Sequence, residues 1–101
     1  MFHGDLNWKL LATQTGNTTS INLPNVFKEL MIVANANNST VAVGSWYFIK
    51  ETLKSEACRC TQGTSASYIT IWVSNTWINI YQGIVNNSDV TSTSTIVVYY
   101  R

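Results

Sequence analysis

The stretch Ser67-Tyr68-Ile69-Thr70-Ile71-Trp72-Val73-Ser74-Asn75-Thr76-Trp77-Ile78-Asn79-Ile80-Tyr81-Gln82 decides the fold. Aliphatic Ile69, Ile71 and Val73 alternate with Tyr68, Thr70 and Trp72. Beyond the break at Ser74-Asn75-Thr76, Ile78 and Ile80 alternate with Trp77, Asn79 and Tyr81. Successive side chains of a strand point to opposite faces, so this period of two predicts a β-hairpin with one aliphatic and one aromatic face. With Ser74-Asn75 as a two-residue turn, Ile71 lies opposite Ile78, Ile69 opposite Ile80, Trp72 opposite Trp77 and Tyr68 opposite Tyr81. A longer loop that moves the pairing by two residues leaves both faces unchanged. The aliphatic face belongs in a core, and the aromatic face needs a separate reason.

Composition places the hairpin in an all-β chain. At 101 residues the sequence is long enough for one core. Hydrophobic residues make up 46%, but charged residues only 11%, with Ser, Thr and Asn in their place. That mixture suits sheet surfaces and polar turns, whereas exposed helix faces draw on Glu, Lys, Gln and Arg. A net charge of +1 with scattered cations provides no basic stripe for a phosphate backbone, so nucleic acid is not an expected partner. Membrane insertion is not expected either, because no apolar run approaches the length of a span, and the first residues lack the pattern of a secretion signal.

Along the chain, residues 1–7 read as a flexible N-terminal segment and 8–101 as a single β-sandwich domain. Trp8 to Gln14 and Thr18 to Leu23 read as two strands joined at the turn signal Thr15-Gly16-Asn17, and they are expected to pair with each other. Glu29 to Asn35 is apolar on both faces, which suits a strand in the middle of the structure. Thr40 to Ile49 follows the Asn-rich turn Asn35–Ser39. Lys50 to Glu56 reads as a helical turn or a polar loop, Cys58 to Gln62 as a short strand, and Thr93 to Tyr100 as the last one. Short strands between polar turns predict an antiparallel β-sandwich or jelly roll of about seven to nine strands.

The chain offers little to catalysis. Cys58 and Cys60 fall on one face of a strand, about 7 Å apart, and cannot easily bond to each other. As a metal half-site they would need further ligands, and His3 has no spacing to recommend it. The carboxylates Asp5, Glu29, Glu51, Glu56 and Asp89 are dispersed, with no pair spaced for acid/base work. No enzyme activity, metal or cofactor is expected. Asn-x-Ser/Thr tripeptides at Asn17, Asn37, Asn38 and Asn86 are what chance produces in a chain this rich in those residues.

The aromatic strip Tyr68, Trp72, Trp77 and Tyr81, interleaved with Thr70 and Asn79, remains. Each such ring removes on the order of 150–250 Å² from water when buried. The strip either packs in the core of its own domain, forms a subunit interface, or stacks against sugar rings with Asn and Thr supplying hydrogen bonds. Trp46 and Phe48 are expected to face the same region from a neighbouring sheet.

Several short motifs then point to a family. Trp8-Lys-Leu-Leu11, the Thr15-Gly16 turn, Ile21-Asn-Leu-Pro24, Phe27-Lys-Glu-Leu30 and the closing Val97-Val-Tyr-Tyr-Arg101 span nearly the whole chain. They resemble the small C-terminal β domains of tail fibre and receptor-binding proteins in phages and prophages of Gram-positive gut bacteria. The resemblance implies a domain of the virion tail, made in the host cytoplasm, that associates as a homotrimer and binds a bacterial cell-surface polysaccharide without enzymatic activity. It favours a subunit interface for the strip. Receptor contacts then fall on the polar turns, at Asn35, Asn37 and Asn38 and at Asn86 and Asn87. The alternative is a purely structural virion or tail-assembly domain. The shaft that precedes such a domain in a fibre is not read in these residues.

Overall fold

In a computed structural model of the chain, residues 8–14, 18–35, 44–54, 58–62, 67–84 and 94–101 are described. Their strands are β1 (Lys9–Gln14), β2 (Thr18–Asn22), β3 (Glu29–Asn35), β4 (Gly44–Ile49), β5 (Cys58–Gln62), β6 (Ser67–Val73), β7 (Trp77–Ile84) and β8 (Thr95–Tyr100). They form two four-stranded antiparallel sheets, sheet I in the order β1-β8-β3-β4 and sheet II in the order β2-β7-β6-β5. The protein is thus an all-β sandwich of eight described strands. Lys50–Thr52 makes one 3₁₀ turn after β4, and no helix among the described residues is long and apolar enough to cross a membrane.

The core lies between the sheets and follows from the alternation. From sheet I come Leu30, Ile32 and Ala34 of β3 with Ile96 and Val98 of β8. Sheet II contributes Ile69, Ile71 and Val73 of β6 with Ile78 and Ile80 of β7. Cross-strand pairs bring them into layers, Ile32 opposite Val98 and Ile71 opposite Ile80. Full burial of each of the Val, Leu and Ile side chains among them contributes about 1.5–3 kcal/mol. Leu23 and Phe27 close one end of the core. At the other end Gln82 ties the sheets together: its Oε1 accepts from Ser94 N at 2.8 Å, and its Nε2 donates to Ser94 O at 2.9 Å and to Gln14 Oε1 at 3.4 Å. Gln14 Nε2 is buried without a hydrogen-bond partner among the described residues.

Two expectations are corrected, and one choice left open is decided. The first two strands do not pair: β1 joins β8 and β2 joins β7, in different sheets. The short separation suggested a hairpin, but Leu11 and Ile21 both pack against the core, and each strand reaches it as an edge of its own sheet. Second, Trp46 and Phe48 lie opposite Ile32 and Leu30 and pack on the core from β4, away from the aromatic strip. Third, the central hairpin turns one residue later than Ser74-Asn75. Ser74 N donates to Trp77 O at 2.9 Å, and Ser74 Oγ accepts from the Thr76 and Trp77 amides, both at 3.1 Å. This side-chain clamp makes Asn75-Thr76 the loop and moves the pairing by two residues, with the inner face unchanged. Of the expected strand Thr40 to Ile49, residues 40–43 lie outside the described residues.

Candidate functional site

The shifted register determines what the outside of sheet II looks like. Trp72 lies opposite Asn79, Tyr81 opposite Thr70, Trp77 opposite Asn22, and Tyr68 opposite Gly83. The four rings therefore do not meet as two aromatic pairs. They alternate between β7 and β6 in the order Trp77, Trp72, Tyr81, Tyr68, each diagonal step about 7–8 Å, with an amide or hydroxyl directly across from the first three. Tyr68, Trp72 and Trp77 are half-buried and Tyr81 is exposed, on the face that turns away from the core. Ser20 continues the row beyond Asn79. On the other side, Arg59 of β5 lies opposite Trp72 with its guanidinium carbon 4.8 Å from the ring centre, within cation–π range.

The outside of sheet I is of a different kind. Its rows run Leu10, Tyr99, Met31, Tyr47 and Thr13, Val97, Val33, Ser45. Leu10 is 62% and Tyr47 52% exposed. A bulge in β1 between Leu10 and Ala12 turns Leu10 outward while Leu11 packs on the core. Below these rows sits a compact polar cluster. Arg101 Nε donates to Glu29 Oε2 at 2.5 Å and Nη2 to Oε1 at 3.4 Å, and Tyr47 OH donates to Glu29 Oε1. Trp8 lies over the Arg101 guanidinium at 4.3 Å and meets Tyr47 edge-on at 6.3 Å. The Arg101 hydrogen bond, and then the one from Tyr47, hold the Glu29 carboxyl below its ordinary value. The same carboxylate pushes the Tyr47 phenol up.

In comparisons with known proteins, no family model, no curated protein and no solved structure matches this chain.

The other sequence-derived candidates are placed as follows. Asn35 is exposed at the end of β3, opposite Thr95. Asn37, Asn38, Asn86 and Asn87 lie outside the described residues, as do His3, Asp5, Glu56 and Asp89. Cys58 is exposed and Cys60 half-buried on the edge strand β5, both as free thiols. Burial, with Cys58 beside it, pushes the Cys60 thiol up, which leaves it a poor nucleophile at neutral pH. Among the described residues no three His, Cys, Asp or Glu side chains converge as metal ligands. An open groove of about 760 Å³ lies between Phe27, Ile49, Leu53 and Asn75. One of its cations is engaged within the chain: Lys50 Nζ donates to Asn25 O at 3.1 Å and sits 4.7 Å over the Phe27 ring.

Sequence reasoning found the aromatic strip but missed Arg59 beside it and the whole outer face of sheet I. The signal for the latter was Met31 and Val33 facing away from Leu30 and Ile32. A strand apolar on both faces inside a two-layer sandwich has one face with no second layer to cover it.

Proposed function

We propose that this domain is a non-enzymatic adhesion module of the phage or prophage tail-tip kind, binding a bacterial surface glycan and carried as a homotrimer. The observation that supports it is the staggered aromatic row of sheet II, in which Trp77, Trp72 and Tyr81 each have an amide or hydroxyl residue directly opposite. A sugar ring presents an apolar C–H surface and a rim of hydroxyls together. Aromatic rings cover the first, and Asn and Thr side chains meet the second. Individual contacts of this kind are weak, and several copies on one fibre multiply them through effective concentration.

Subunit association fits sheet I better than sheet II. Met31, Val33, Val97, Tyr99, Tyr47 and Leu10 make an apolar patch across all four strands, of a kind uncommon on a free monomer and able to form the centre of a half-interface of about 800 Å². That patch also favours a second reading, a purely structural virion or tail-assembly part, since it calls for a cover whatever sheet II binds.

The test is light scattering together with binding to an array of host-envelope glycans, for the unaltered protein, Trp72→Ala and Trp77→Ala. The expected outcome is an unchanged trimer and at least about a tenfold loss of glycan binding. Dissociation of either variant would make the strip the interface. An intact oligomer that binds no glycan would favour the purely structural reading.

A further inference from the structure

We infer that the glycan taken by sheet II is anionic, its carboxylate or phosphate group held by Arg59. This rests on the glycan reading above and adds the class of sugar. Arg59, Trp72, Asn79 and Ser20 form one row across the four strands of the outer face. Arg59 is exposed and stacks on Trp72 at 4.8 Å. Among the described side chains of that face there is no carboxylate, and no described carboxylate pairs with Arg59.

The other arginine stacked on a tryptophan shows what this means. Arg101 lies on Trp8 at 4.3 Å, but its Nε and Nη2 both donate to Glu29, so its charge is neutralised within the chain. Arg59 has the same aromatic support with no carboxylate partner among the described residues. A guanidinium remains charged at any physiological pH, and its fork of N–H donors matches a carboxylate or phosphate with two parallel bonds. Stacking on Trp72, at 4.8 Å from the ring centre, limits the orientations of that fork. A sugar ring resting on Trp72 and Asn79 lies one strand spacing, about 4.8 Å, from Arg59. Its acidic substituent then reaches the guanidinium while its hydroxyls meet Asn79 and Ser20.

The experiment is titration calorimetry of the full chain with four probes: an oligouronate, a neutral oligoglucan of equal length, a glycosylated poly(glycerol phosphate), and polyphosphate without sugar. Each is run on the unaltered protein, Arg59→Gln, Arg59→Lys and Trp72→Ala, at low and high salt. The expected result is binding of one or both anionic sugar polymers about tenfold tighter than the neutral glucan, a preference that weakens with salt. Arg59→Gln erases that preference, lowering affinity for the anionic sugars about tenfold more than for the neutral glucan. Arg59→Lys retains part of it, and Trp72→Ala weakens every sugar probe. The uronate and glycerol-phosphate arms distinguish a carboxylate from a phosphate source. Equal affinity for neutral and anionic sugars, or an Arg59→Gln variant that keeps the preference, overturns the inference and leaves the glycan reading standing. Polyphosphate bound as tightly as the anionic sugars, with Trp72→Ala without effect, overturns it in favour of charge alone. If the unaltered protein binds no sugar probe at all, the glycan reading itself falls.

Discussion

Each outer face of the sandwich carries an arginine laid on a tryptophan, Arg101 on Trp8 outside sheet I and Arg59 on Trp72 outside sheet II. On sheet I the guanidinium is closed off by Glu29, which also accepts from Tyr47, so the polar groups at that end answer one another. Above them extend Met31, Tyr99, Val33 and Val97. On sheet II no described carboxylate neutralises the cation, and aromatic rings alternate with Asn and Thr along the hairpin. Polar needs met internally beside aliphatic surface describe a face suited to another protein. Rings and polar groups in alternation, with a charge at the edge, describe one suited to a hydroxyl-rich ligand. The sequence is similarly apolar on both faces; the register decides how the polar groups are distributed among the rings.

The largest expected effect comes from putting a carboxylate on each face in turn. Val97 lies between Val33 and Thr13 in the middle of sheet I. In Val97→Asp every copy buries an unpaired charge on association, and assembly weakens by at least about 100-fold, roughly 2.7 kcal/mol. Thr70→Asp, between Trp72 and Tyr68 on sheet II, leaves the mass unchanged. Light scattering over a dilution series reads both. An assembled Val97→Asp alongside a dissociated Thr70→Asp would exchange the roles of the two faces.

Much of the fold is legible in the sequence because a strand's pattern is local. The alternation in Glu29–Asn35 and Ser67–Val73 identifies which side chains meet in the core, and the observed strands begin and end close to where turn residues place them. Partners are another matter. Gln14 and Thr18 are four residues apart, yet their strands close onto Ile96 and Tyr81, and nothing within Lys9–Asn22 encodes those distant pairings. Arg59 escaped notice for the same reason, since its support from Trp72 exists only once β5 pairs with β6. The hairpin register was ambiguous on physical grounds. A slip of two residues returns every aliphatic to the core, so core packing discriminates weakly and the turn decides.

That makes Ser74 the next place to press. Its buried hydroxyl accepts from both the Thr76 and Trp77 amides. Ser74→Ala leaves the two donors short of an acceptor, with an expected loss of about 1–2 kcal/mol in denaturant unfolding. The difference between the faces sharpens if Trp72 and Asn79 remain neighbours by NMR contacts while glycan affinity holds. Should Trp72 instead be found opposite Trp77, the staggered row collapses into the two-pair arrangement and sugar binding should fall with it.

The smallest expected effect separates the two arginines by pH. Glu29 has a folded pKa depressed by Arg101 and Tyr47, so its contribution to stability is present above the ordinary carboxylate value of about 4.3 and is lost as pH falls through the lower folded value. Tyr47 has a folded pKa raised by Glu29, so its contribution is present below about pH 10 and is lost as pH rises through the higher folded value. Thermal midpoints of the unaltered protein should therefore fall off more steeply on both the acid and the alkaline flank than those of Glu29→Gln, with the two curves parallel between about pH 5 and 9. Because the ion pair is only half-buried, the gap narrows as salt is added. Arg59 has no titrating partner among the described residues, so Arg59→Gln should run parallel to the unaltered protein across the whole range. Curves for Glu29→Gln that are parallel on both flanks would mean that the carboxylate is not coupled to Arg101 in solution, and the contrast between a neutralised and an open guanidinium would lose its sheet I half.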